Sequence, residues 1–133
     1  MSNPILKICV CGAGTMGTGI AQVFASNGFS VILYDLDDNI LETSKNKIGE
    51  RNIEVVKKIQ FTTLLNHCIA DIIIEAIIEN ATIKGSLFND LSKINKPSVI
   101  FVTNTSSLSV TEIAGHLSRR EQFAGMHFFN PAP

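Results

Sequence analysis

The chain has 133 residues, 45% of them hydrophobic, and its 11 basic and 12 acidic side chains are scattered, for a net charge of −1. That length fits one domain with a substantial core, and the lack of a basic stripe with interleaved aromatics argues against a nucleic-acid partner. The most apolar stretch, "IADIIIEAII", carries Asp71 and Glu75 inside it, so no membrane span is expected.

The opening "MSNPILKICVCGAG" lacks a basic n-region and a cleavage site, so no secretory signal is expected. Within it "ILKICVC" (5–11) predicts a strand, followed by a glycine-rich turn. "TMGTGIAQVFASNG" predicts a helix, with Met16, Ile20, Val23 and Phe24 at helical spacing and Asn27–Gly28 as its stop. "FSVILYD" (29–35) reads as a second strand ending in Asp35. The run 37–58, "DDNILETSKNKIGERNIEVVKK", reads as helical, with Asp37 or Asp38 as cap and Ile40, Leu41 and Ile48 as the inner stripe. "KIQFTT" is a third strand and "LLNHCIA" a short helical turn. "DIIIEAII" (71–78) has the composition of a fully buried strand, and "ATIKGSLFNDLSKI" follows as a helix weakened by Gly85. "PSVIFVTNTSS" supplies a strand and a polar turn, "LSVTEIAGHL" a helix, and "QFAGMHFF" a last strand. This alternation predicts an α/β fold: a doubly wound, mainly parallel sheet with helices on both faces and right-handed crossovers.

Cys9 and Cys11 flank Val10 and share a sheet face. They read as buried thiols, not a metal pair, because no third and fourth ligand is spaced for one. Cys68 reads as another buried small hydrophobe. No metal is expected. Three cysteines without a disulfide framework suit a cytoplasmic protein.

The chemistry gathers at the turns. "GAGTMG" (12–17) matches G-x-G-x-x-G between a strand and a helix, the Rossmann-type setting that its mechanism requires. Gly12 allows the tight turn, Gly14 admits a pyrophosphate and Gly17 lets helix and strand pack. Ala13, Thr15 and Met16 complete the loop at the helix N-terminus. Asp35, at the end of the second strand, suits the adenosine ribose hydroxyls and repels a 2′-phosphate. Leu36 offers no compensating charge, so NAD is expected over NADP.

Later strand ends point to the same crevice. Glu79 follows the fourth strand; Asn104, Thr105, Ser106 and Ser107 follow the fifth. Ser107 or Ser109 suits a helix cap, and Ser106 stays open between a cap and a ligand contact. Glu75 is open between a satisfied buried acid and a site acid. His67 and His116 read as surface or capping residues near helix ends. His127 differs, ending the sixth strand on the ligand side.

"GAGTMGTGIA", "IIEAIIEN", "TNTSSLSVTEIA" and "GMHFFNPAP" resemble, in order and spacing, the NAD-binding domain of the 3-hydroxyacyl-CoA dehydrogenases, above all the bacterial 3-hydroxybutyryl-CoA type. The resemblance implies NAD-dependent oxidation of an (S)-3-hydroxyacyl-CoA to the 3-oxoacyl-CoA, in fatty-acid β-oxidation. It makes His127 the base that takes the hydroxyl proton. Ser106 then bonds near the reacting oxygen and the nicotinamide ribose, and Asn130 supports that oxygen. Glu79 and Lys84 join the NAD contacts.

The family also carries a glutamate that orients its histidine, and a helical C-terminal domain that covers the substrate and forms much of a homodimer interface. Both are expected beyond Pro133, so residues 1–133 read as the NAD-binding domain alone, without turnover of its own. Residues 36–57 leave room for one helix and a loop, less than the family's helical hairpin with its CoA contacts. Two other readings stand beside this one: a non-catalytic NAD-binding module, and an NAD-dependent dehydrogenase of a small hydroxy acid. His127, Ser106 and Asn130 together favour the acyl-CoA enzyme.

Overall fold

The structure, a computed structural model, describes residues 6–77, 80–104, 112–115 and 123–126. Six strands run in chain order: β1 (Lys7–Cys11), β2 (Ser30–Tyr34), β3 (Ile59–Thr62), β4 (Ile72–Glu75), β5 (Ile100–Asn104) and β6 (Phe123–Met126). They form one sheet in the order β3-β2-β1-β4-β5-β6, and every neighbouring pair is parallel. That is the strand order of the doubly wound dinucleotide-binding fold. Among the described residues, four α-helices lie between β1 and β5: α1 (Thr15–Ser26), α2 (Asp38–Arg51), α3 (Ile53–Val56) and α4 (Ala81–Ile94). A 3-10 turn covers Leu65–His67.

The two-residue period of the strands sorts their side chains between two cores. Ile8, Val10, Val31, Leu33, Ile74 and Val102 pack against Ile20, Ala21 and Ala25 of α1 and Leu41 and Ile48 of α2. Cys9, Cys11, Ile32, Ile73 and Phe101 face the other way, onto Phe88 and Leu91 of α4. Helices on both faces explain why the strands read as continuous apolar runs. The connections leaving β1 and β4 therefore pass to opposite faces, and a crevice opens between the two strand ends.

Three expectations need correction. The helical run 37–58 is broken at Asn52, whose extended backbone ends α2 while its side chain accepts from the N–H groups of Glu54 and Val55 to start α3. Within α2 the buried stripe is Leu41, Ser44 and Ile48; Ile40 is 40% exposed. Ser44 takes the inner position because its hydroxyl pairs with Thr18 of α1 at 2.8 Å. The third thiol that chain spacing did not offer to Cys9 and Cys11 is supplied by the fold: Cys68 lies beside them, and all three are buried.

Asp37 is the cap of α2, and residues 81–94 form a helix as expected despite Gly85. His67 is exposed, its Nδ1 bonded to the Thr62 hydroxyl at 2.8 Å. The expectations for Glu79, Thr105, Ser106, Ser107, Ser109, His116, His127 and Asn130 fall outside the described residues.

Candidate cofactor site

β1 delivers the chain to Gly12 at the crevice. Gly12 has φ +108°, and a Cβ there would stand 2.6 Å from the Ala76 carbonyl oxygen, so only glycine fits. A Cβ on Gly17 would lie 1.6 Å from the Gly12 oxygen, which fixes glycine where α1 crosses β1. Gly14 is different. A Cβ there meets no atom within 4 Å, and its backbone angles, φ −72° and ψ −163°, suit any residue. Nothing in the protein's own packing accounts for glycine at 14, whereas a ligand lying against the loop does.

The helix start tells the same story. Asp37, Asn52 and Asn80 each cap their helices through a side-chain oxygen. Among the described α-helices, α1 alone lacks a side-chain cap, and its first turn holds no acid. Its N–H groups and positive dipole end are left facing the crevice, as an anion such as a pyrophosphate needs.

Asp35 leaves the end of β2, half-buried, and binds the loop directly. One carboxylate oxygen accepts from the Ala13 N–H at 2.9 Å and the other from the Asp37 N–H at 2.9 Å. Two contacts leave half of a carboxylate's acceptor sites for ribose hydroxyls. Beside it lies a cleft of about 260 Å³ lined by Gly12, Asp35, Leu36, Ile77, Ile83 and Leu87. Leu36 is 81% exposed at its rim, an apolar surface against which a flat base can lie. Glycine loop, uncapped helix and the Asp35 carboxylate thus converge, and they fit a dinucleotide.

A second cluster sits behind the turn that follows β4. Glu75 is fully buried and accepts from the Ile77 N–H at 2.6 Å and from the Thr103 hydroxyl of β5. The Lys84 ammonium of α4 lies 3.0 Å from the same carboxylate and is 1% exposed. Burial raises the Glu75 pKa, against the lowering pull of Thr103, the Ile77 N–H and Lys84. Glu75 is therefore the satisfied buried acid of the two readings. It ties β4, β5 and α4 together under the turn leading to Glu79. An acid within "IIIE" was the visible signal; its partner was not, since chain spacing alone does not say which face of α4 meets the sheet.

β6 is parallel to β5 and pairs Met126 with Asn104. The C-terminal end of β6, at Met126, thus lies at the same end of the sheet as the C-terminal ends of β1 and β4.

Residues 7–133 match the family model described as 3-hydroxyacyl-CoA dehydrogenase, NAD binding domain. The chain belongs to that family. NAD is the cofactor this membership implies. A probable 3-hydroxybutyryl-CoA dehydrogenase of Deinococcus radiodurans is 40% identical over 96% of this chain and 51% of its own. The mitochondrial hydroxyacyl-coenzyme A dehydrogenase of Homo sapiens is also 40% identical, over 97% and 48%. Among solved structures, the (S)-3-hydroxybutyryl-CoA dehydrogenase of Ralstonia eutropha superposes with TM-score 0.90 at 32% identity, covering 98% of this chain and 51% of that one.

This family member spans about half the length of the relatives it matches. The aligned stretches run to 142 and 150 residues, longer than the chain itself, so these relatives carry segments it lacks. No helix among its described residues is long and apolar enough to cross a membrane.

The glycines are expected to separate on substitution. Gly14→Ala should leave stability within about 1 kcal/mol and weaken NADH binding by about tenfold or more, near 1.4 kcal/mol. Gly17→Ala should cost at least the roughly 1–3 kcal/mol of an overpacked contact. Urea melts beside NADH titrations of both variants check the split.

Proposed function

We propose that this chain is the NAD-binding half of a dehydrogenase that oxidises (S)-3-hydroxyacyl-CoA to 3-oxoacyl-CoA. The observation that carries the reading is the family match over residues 7–133, which takes in His127 and Asn130 as well as the glycine loop. Bound NAD supplies the hydride acceptor. The α1 N-terminus holds the pyrophosphate, Asp35 the ribose hydroxyls, and Glu79 a further edge of the cofactor. Lys84 serves the site from behind the turn after β4, its ammonium held by Glu75.

His127, as a neutral imidazole, takes the proton of the 3-hydroxyl as hydride leaves C3. Ser106 and Asn130 hold the reacting oxygen in line. In this reading a helical domain that follows residue 133 covers the acyl-CoA, supplies the acid that orients His127 and joins two copies. We place one of the segments present in relatives between α2 and β3, where residues 52–58 here form only a short helix and its flanks. Three free, buried cysteines suit a reducing compartment, and we assign the protein to the cytoplasm.

The 133-residue chain alone should bind NADH yet show negligible turnover of (S)-3-hydroxybutyryl-CoA. Holding two reactants in place is worth about 7–11 kcal/mol of a barrier, and the surface that holds the acyl-CoA belongs to the other half. The test measures NADH formation by the chain alone and by the chain joined to a helical C-terminal domain. Turnover only by the joined protein supports the division; steady turnover by the chain alone, lost in His127→Ala, contradicts it.

A further inference from the structure

The sulfur atoms of Cys9 and Cys11 lie 4.0 Å apart on the α4 face of β1. Cys68 Sγ joins them so that all three sulfurs lie within 4.8 Å of one another. Cys68 arrives from a different part of the chain, the segment between the 3-10 turn and β4, and that segment is anchored. Asn95, at the end of α4, donates to the Cys68 carbonyl at 2.9 Å and accepts from the Ala70 N–H at 2.9 Å. On the other side the His67 imidazole is tied to Thr62. The third sulfur is thus held in place by the backbone around it.

We propose that Cys9, Cys11 and Cys68 form a three-sulfur binding site for a soft, thiophilic metal ion, Cu(I) being the one that fits best. A metal–sulfur bond of about 2.3 Å, in a trigonal plane, places sulfurs about 4.0 Å apart. The Cys9–Cys11 pair already has that separation, and Cys68 needs less than about 1 Å of movement. Soft thiolates select ions of this class. Zinc asks for a fourth ligand in a tetrahedron. Among the described residues no other His, Cys, Asp or Glu joins the trio. The trio shares its core with the apolar Ile32, Ile73 and Phe88 and with Tyr34, which pairs with Cys11 in the sheet.

Each thiol that binds releases its proton to solvent. The way in is the Cys68 segment itself, where His67 and Ile69 on either side are exposed.

The test incubates the reduced protein without oxygen with Cu(I), in competition with a chromophoric chelator, then desalts it. One Cu(I) retained per chain is expected, with X-ray absorption showing three sulfurs at about 2.3 Å. Cys68→Ala should lower the affinity at least about a hundredfold, the upper end of what losing a mere outer-shell partner costs. No retained copper overturns the proposal. So does a coordination shell of two sulfurs or of nitrogen and oxygen, or an unchanged affinity in folded Cys68→Ala. Should that variant not fold, the sulfur count in the unaltered protein decides.

Discussion

Lys84→Met should destabilise the domain by about 3–5 kcal/mol near neutral pH, the cost of stranding one member of a buried ion pair. Glu75 is fully buried and Lys84 nearly so, with 3.0 Å between their charged atoms. Methionine fills a comparable volume but leaves the carboxylate with only the Thr103 hydroxyl and the Ile77 N–H. Burial already raises the Glu75 pKa, and the lowering contribution of Lys84 is lost in the variant, so the folded-state value climbs further. A raised folded pKa stabilises fully below the unfolded value, about 4.3, and that stability is lost as pH rises through the folded value. The gap between variant and parent should therefore be small in mild acid and full at neutral pH. Adding Glu75→Gln should recover most of the loss, because no buried charge then remains. Urea melts of the three proteins at two pH values test this. A gap independent of pH, or a double variant no better than the single, would show that the pair acts only by filling space.

His127→Gln, in the chain joined to a helical C-terminal domain, should lower the hydride-transfer rate about 10²–10⁴-fold, the usual worth of a general base. The NADH dissociation constant should change little. In the proposed reading the glycine loop, Asp35 and the turn after β4 hold the cofactor, whereas position 127 follows β6, two strands beyond β4 in the sheet. Glutamine keeps a hydrogen-bonding head and similar bulk but does not take up the proton. Single-turnover rates set beside NADH titrations separate the two effects. Equal losses in rate and affinity would return His127 to a structural role.

Much of this architecture was legible from residues alone, because each strand is a short apolar run and each turn carries its own chemistry. "GAGTMG" fixed the first crossover, Asp37 and Asn27–Gly28 marked helix ends, and the parallel sheet followed from alternation. Most of the misread parts depend on which faces meet, and one on a local cap. Ile40 belongs to an apolar stripe by spacing but turns outward, since the buried position goes to Ser44 and its bond to Thr18. Asn52 looks like one more polar helical residue, yet its side chain competes for backbone N–H groups and splits the helix. Glu75 declared itself as an oddity, while Lys84 and Thr103 became its partners only through the packing of α4 and β5 on β4. Cys68 lies far along the chain from Cys9 and Cys11, and no spacing rule brings them together.

Whether this crevice is built for NAD is decided by titrating the 133-residue chain with NADH and with NADPH. Asp35 is held against the glycine loop through Ala13, and in the proposed reading its carboxylate meets the ribose hydroxyls, one of which carries the 2′-phosphate in NADPH. A charged hydrogen bond kept in one cofactor and lost in the other is worth about 1.5–3 kcal/mol, or roughly tenfold to a hundredfold. One NADH should bind per chain, NADPH should bind weaker by about that factor, and Asp35→Ala should narrow the difference. Equal affinity for the two cofactors, or no NADH binding by the folded chain, would contradict it.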